Sequence, residues 1–371
     1  MMAAMKNAAL VLALGACAGG CLDPDLSGTR DVVVISTNGA GEYALRARSV
    51  TADDFTTLEG DSVRFLAKPS LVIDEFTETI ELSGGEDMHV TYSEVDGELV
   101  ATDYLGLIAV TAYHHMQATH SYFHMLGLGS TADELPQQRV LFLPKIRVNG
   151  GGRVVANDNM AYIPELESFM VLAEDILDEL PLAANEGVVG HEFSHAVLHA
   201  LTDGPDGTAA NVRLGWDTES SNFWASLHEG LADVHGVAIT GESNFVAPSV
   251  SSLFGDRDAA SLHQLTDSML FDVGSFAGYD PYPMGSVIAA TFWTYHKGLR
   301  ELGVGEDQAL ADMGRLAFDA ARTLQLGSEF HIADYLTSAA TATPDAASRD
   351  AWCTAVGQHF VLVQDLVTGC P

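Results

Sequence analysis

At 371 residues and 47% hydrophobic composition, the chain can build one large domain or two lobes around a cleft, with a sizeable core. Seventeen Lys+Arg stand against 51 Asp+Glu, a formal net charge of -34. That balance argues against nucleic-acid binding, which needs clustered Lys and Arg, and reads as a solvated acidic surface that would also suit Ca²⁺ loops or a saline habitat.

The N-terminus opens with MMAAMK, whose Lys6 makes a short basic region, followed by the apolar run AALVLALGA at 8–16. That run is too short to span a bilayer. Leu14-Gly15-Ala16 lead directly into Cys17. The pattern resembles a bacterial lipoprotein signal over 1–16, with Cys17 acylated as the mature N-terminus. It implies export and a lipid anchor as the sole membrane attachment, in the cell envelope at the outer membrane or cell surface. An ordinary signal peptide with an incidental Cys17 stays open, and Cys21 is a poorer second lipid site. In an exported chain the remaining cysteines, Cys353 and Cys370, are expected to form a disulfide.

Residues 17–30 read as a tether. From 31 to about 107 short alternating runs such as DVVVIS, SVRFLA and HVTYSEV are separated by NGAG, SGGED and DG turns, which predicts β-rich structure with hairpins. Residues 108–127 lack breakers and end at Gly127, a helix stop. His120 and His124 are four apart there, but no acidic residue completes a ligand set, so they read as core or boundary histidines. Residues 139–148 and 151–158 read as two strands around an Asn149-Gly150 turn. The stretch 159–172 is helical by spacing, yet Pro164 and the compact FMVL run suit a hairpin. From Asn185 the chain is mainly helical, over 185–201 and about 222–240, 284–301 and 306–324. This divides the chain into a β-rich part, 31–184, and a helical part, 185–371.

The chemistry concentrates in NEGVVGHEFSHAVLHAL, residues 185–201. His191 and His195 lie one turn apart on one helical face, so both can reach a single ion. Glu192 points about 100° away and can reach a water without occupying the metal. That is the logic of H-E-x-x-H. A catalytic zinc keeps three protein ligands and an open position. Leu198 and Leu201 stand where one large class carries Gly and a third His, so that class is excluded. The helix NFWASLHEGLADVHG supplies Glu229 as third ligand, with Asp233 four residues on to accept from a ligand imidazole. Glu219, His228 and Asp233 compete with Glu229 as ligands. Gly230 and Gly236 would let the two helices approach closely.

With these motifs the chain resembles the gluzincin metallopeptidases of the thermolysin and fungalysin type. GHEFSHAV is similar to their zinc helix and LHEGLADVHG to their third-ligand helix. TAYHHMQATHSYFHMLG resembles their long N-lobe helix, NDNMAYIP their edge strand, and YDPYPMGSVIAATFW a C-lobe segment; the likeness covers about residues 108–300. It implies a two-lobed α+β zincin fold, with a β-rich N-lobe, a helical C-lobe and the 185–201 helix at the cleft floor. It favours the hairpin at 159–172. It implies a zinc endopeptidase acting on polypeptides, with His191, His195 and Glu229 as ligands, Glu192 as general base and Asp233 behind a ligand. Asn159 and Ala161 would pair with substrate backbone.

Tyr282 stands where the family places a catalytic His, and its hydroxyl could still donate to the oxyanion. The Tyr282 departure also motivates an alternative, a zinc-binding envelope lipoprotein with impaired or no turnover and a binding or structural role. A metal-free surface adhesin is the more distant rival. Asp203 and Asp206 could bind Ca²⁺, although Asp-Gly turns are the default reading. A monomer is expected.

Overall fold

The computed structural model describes residues 26–37, 42–74, 77, 79–128, 136–149, 151, 159–173, 179–203, 215–250, 257–274, 278–324 and 326–370. The expectations for the 1–16 signal, Cys17 and Cys21 lie outside them, as do those for 152–158 and Asp206. The fold is mixed α/β. Its strands are β1 (Gly28–Thr37), β2 (Tyr43–Ala52), β3 (Val63–Ala67), β4 (Ser70–Asp74), β5 (Thr79–Ser83), β6 (Glu86–Asp87), β7 (Tyr92–Val95), β8 (Glu98–Ala101), β9 (Gln138–Phe142), β10 (Lys145–Val148), β11 (Asn159–Ile163) and β12 (Ser168–Leu172). They form three sheets, ordered β2-β1-β8-β7, β10-β4-β5 and β11-β12-β9-β3-β6. Alternation drives the pairing: Val32, Val34 and Ser36 of β1 point inward while their neighbours stay partly exposed. β1 begins at Gly28, inside the expected tether, because Gly28–Arg30 pair with Val50–Ala52.

The expected single strand at 139–148 is two strands in different sheets. Leu143 takes a left-handed φ of 53° and Pro144 offers no N–H, so the ladder breaks there. β9 lies between β12 and β3, whereas β10 pairs with β4. Residues 159–172 form an antiparallel hairpin, Asn159 opposite Leu172 through Ile163 opposite Ser168.

Helix α1 (Tyr104–Leu126) starts four residues earlier than its apolar run, because Asp103 caps it by accepting from the Gly106 N–H at 2.8 Å. Gly127, at φ 111°, closes it. The helices α2 (Glu186–Asp203), α3 (Thr218–Thr240), α4 (Asp267–Val273), α5 (Tyr282–Glu301), α6 (Glu306–Thr323), α7 (Ile332–Ala342) and α8 (Ala346–His359) follow. Cys353 of α8 is bonded to Cys370.

One aromatic stack seats α2. The ring of Phe193 lies between Phe123 of α1 at 5.9 Å and Phe169 of β12 at 5.7 Å, nearly parallel to both. All three side chains are fully buried. Truncating such a side chain costs about 3–5 kcal/mol, so the stack fixes α2 against both α1 and the five-stranded sheet.

Candidate metal centre

Asn185 sets the start of α2. Its Oδ1 accepts from the N–H groups of Gly187 at 3.0 Å and Val188 at 3.3 Å, satisfying first-turn donors. Its Nδ2 donates to the Phe245 carbonyl and to Ser249, each at 2.9 Å. The helix therefore starts at a point tied to the chain after α3. Further along, His191 and His195 share one face with their Nε2 atoms 3.2 Å apart.

Helix α3 reaches α2 through glycine. A Cβ on Gly236 would lie 2.9 Å from the Gly187 carbonyl oxygen and 2.8 Å from Phe245. Gly230 serves a different neighbour: its Cβ would meet Ile288 at 2.6 Å and the Gly285 oxygen at 2.9 Å, both on α5. The expectation that both glycines bring α2 and α3 together is corrected in that respect. The approach sets Glu229 Oε2 3.4 Å from His191 Nε2, and Oε1 3.8 Å from His195 Nε2. Among the described residues, His191, His195 and Glu229 form a cluster able to hold a metal ion, its ligand atoms within 4.8 Å of one another.

His191 Nδ1 lies 2.9 Å from Asp233 Oδ1. A proton on Nδ1 leaves the Nε2 lone pair facing the cluster. Arg257 donates to both oxygens of Asp233, with its Nε 3.3 Å from Oδ2. Asp233 is 2% exposed, so this cation and the imidazole balance a buried charge. Glu192 stands beside the cluster and outside its ligand set. Its Oε2 accepts the Tyr162 backbone N–H of β11 at 2.8 Å, and its Oε1 is 3.9 Å from His191 Nε2.

Burial raises Glu192 to about 7, against the pull of the His191 charge and the Tyr162 N–H. Burial also depresses His195 to about 3, with the His191 charge adding to it. Burial disfavours the His191 cation too, but its bonds to Asp233 and Glu229 prevail and raise it to about 9. Burial opposes ionisation of Glu229 and Asp233, yet His191 holds the first low, and Arg257 with His191 holds the second low.

A tetrahedral ion with ligands at about 2.0–2.2 Å separates its donors by about 3.3–3.6 Å. The His191–His195 separation of 3.2 Å and the His191–Glu229 Oε2 separation of 3.4 Å lie close to that range, while His195 approaches the other carboxylate oxygen, Oε1, at 3.8 Å. Glu229 Oε2 is buried and, apart from the long 3.4 Å approach of His191 Nε2, has no hydrogen-bond partner among the described residues. Such an atom is costly unless a cation satisfies it. Two imidazoles and a carboxylate suit zinc, and the site fits that ion.

A cavity of about 350 Å³ opens over the cluster, walled in part by Asn159 and Ala161 of β11, Val188, Arg257 and Tyr282. Tyr282 is the first residue of α5, with the Arg257 guanidinium 4.7 Å from its ring centroid. Burial, then the Glu229 charge, raises its hydroxyl to about 12, so it stays protonated. Glu219 lies in the first turn of α3, outside the cluster, and the His228 ring stacks on His195 at 6.0 Å without joining the ligand set. Asp203 is the last residue of α2. Arg257 and the Tyr162 N–H went unread in the sequence. The first is a lone arginine in a loop and the second is backbone, so neither has a local signature.

No protein-family model matches the chain, and no curated protein matches it. Among solved structures, the chain is similar to the precursor of protealysin, a metalloproteinase from Serratia proteamaculans. The identity is 12%, over 78% of this chain and 87% of that one, with a TM-score of 0.46.

Proposed function

We propose that the chain is a zinc-dependent peptidase that hydrolyses internal bonds of polypeptides. The observation that carries this reading is the convergence of His191, His195 and Glu229 on one point with the Glu192 carboxyl beside it. Zinc held there would supply a Lewis acid that polarises a scissile carbonyl and makes water acidic near neutral pH. Glu192, raised to about 7, is poised to accept a proton from water and return it to the departing amine. The Tyr162 N–H keeps its carboxyl aimed into the cleft. Asp233 holds the His191 proton on Nδ1, and Arg257 keeps Asp233 ionised. The Tyr282 hydroxyl donates to the oxyanion. β11 is the outer strand of its sheet, and because Tyr162 turns its N–H away from β12, alternation directs the backbone of Met160 and Tyr162 to the open edge, where an extended substrate would add as a further strand beside Asn159 and Ala161 of the cavity wall. The signal-like N-terminus and the Cys353–Cys370 bond support an exported chain, anchored through Cys17.

The test combines metal analysis with cleavage of a quenched peptide. One zinc per chain and chelator-sensitive turnover are expected. Glu192→Gln should retain the zinc and lose about 10²–10⁴-fold in turnover. Zinc with no turnover in the unaltered chain would favour the non-enzymatic reading. A metal-free protein would remove both.

A further inference from the structure

Outside this centre, α1 carries a second histidine pair at the same spacing. The Nε2 atoms of His120 and His124 lie 3.1 Å apart, and the rings meet edge to face with centroids at 4.3 Å. The 3.2 Å approach of His191 and His195 is nearly identical. Two nitrogens at about 2.0–2.1 Å from one ion, subtending about 90–110°, come about 2.9–3.4 Å apart. Burial and the neighbouring His124 depress His120 to about 4, so it need not shed a proton before ligating. Its ring rests edge-on against Phe193 at 6.2 Å, which limits its rotation, while His124 is exposed and can adjust. His120 lines an open cavity of about 520 Å³, and Asp53 and Asp61 on the same walls favour a cation.

We infer that His120 and His124 form a second metal site, a two-imidazole chelate for an exchangeable divalent transition-metal ion whose other positions are open to water. The inference is independent of the peptidase reading. Imidazole pairs of this kind select Cu²⁺, Ni²⁺ or Zn²⁺ over Ca²⁺ and Mg²⁺.

The experiment titrates Cu²⁺ into the full chain, purified without a histidine tag, and reads imidazole-bound copper by electron paramagnetic resonance. The unaltered protein should bind two such ions. His124→Gln, at an exposed helix position, should lose one and keep the other, weakening that class of binding by about tenfold or more. His195→Gln should lose the complementary one. A melting curve for His124→Gln establishes that it is folded; His120→Gln gives an independent second reading. If His124→Gln and His120→Gln each bind as many imidazole-coordinated ions as the unaltered chain, the pair is a hydrogen bond and the inference is overturned.

Discussion

A histidine that stays neutral in the fold makes stability depend on pH. His235 of α3 is 1% exposed, its Nδ1 3.0 Å from the Tyr122 hydroxyl and its ring 4.8 Å from Phe123. Burial lowers it from 6.5 to about 3. The unfolded chain therefore binds more protons than the folded one between those values, and stability falls as pH drops through that window. From about pH 7.5 to 5.5 the loss from this one group is about 1 kcal/mol. His235→Gln keeps an acceptor for Tyr122 but cannot titrate. It should be less stable at both pH values, with a smaller difference between them, by urea unfolding of the chelator-treated proteins. Groups in the metal cluster are common to both proteins and cancel. An undiminished difference would exclude His235 as the source. At this scale, the spacing of His191, Glu192 and His195 was legible because the i, i+4 relation is local. Arg257 was not, because its partner Asp233 is chosen by a long-range contact.

Between elements, glycines set how closely the helices approach. The Cβ of an alanine at Gly230 would press on the branched Cβ of Ile288 at 2.6 Å and on the Gly285 carbonyl at 2.9 Å. Neither can yield without moving α5. At Gly190 the nearest atom is the Ile239 Cδ1 tip at 2.6 Å, and the next contact is at an ordinary 3.7 Å. Gly230→Ala should cost about 2 kcal/mol and weaken zinc binding, because Glu229 is its chain neighbour. Gly190→Ala should cost under about 1 kcal/mol, since Ala also favours the helix. Urea midpoints and zinc competition titrations compare the two; equal losses would mean that α3 does not need its spacing from α5. Sequence pattern located α1, α2, α3, α5 and α6 through apolar spacing and caps. It did not separate α7 and α8. α7 is eleven residues rich in Thr and Ala, and the apolar residues of α8 form no clear stripe. Their signals are the caps, His331 with Asp334 and Asp345. The break at Leu143 was hard to read for a different reason: the apolar run VLFL and the alternating KIRV follow each other with only Pro144 between them, and the choice of strand partners is what separates them into two sheets.

Over the whole molecule, composition dictates a field. With 51 acidic and 17 basic side chains, most carboxylates have no cation of their own to pair with. Surface pairs such as Lys68–Glu86, at 2.9 Å with both side chains more than half exposed, contribute little because water and salt screen them. Arg257 is committed inward to Asp233. A net charge of -34 therefore repels itself in the compact state more than in the expanded one. Sodium chloride shortens the screening length from about 10 Å at 0.1 M to about 3 Å at 1 M. The repulsion acts over many exposed charges and should be screened, whereas Asp233 and His191 are buried, with Arg257 mostly so, and that set should be screened much less. The melting midpoint should rise by several degrees between those salt concentrations, and by the same amount in potassium chloride, since screening does not distinguish the cations. A flat or falling midpoint would mean that the acidic surface is already neutralised by bound cations. A rise with sodium but not potassium would point to a specific site instead of a field.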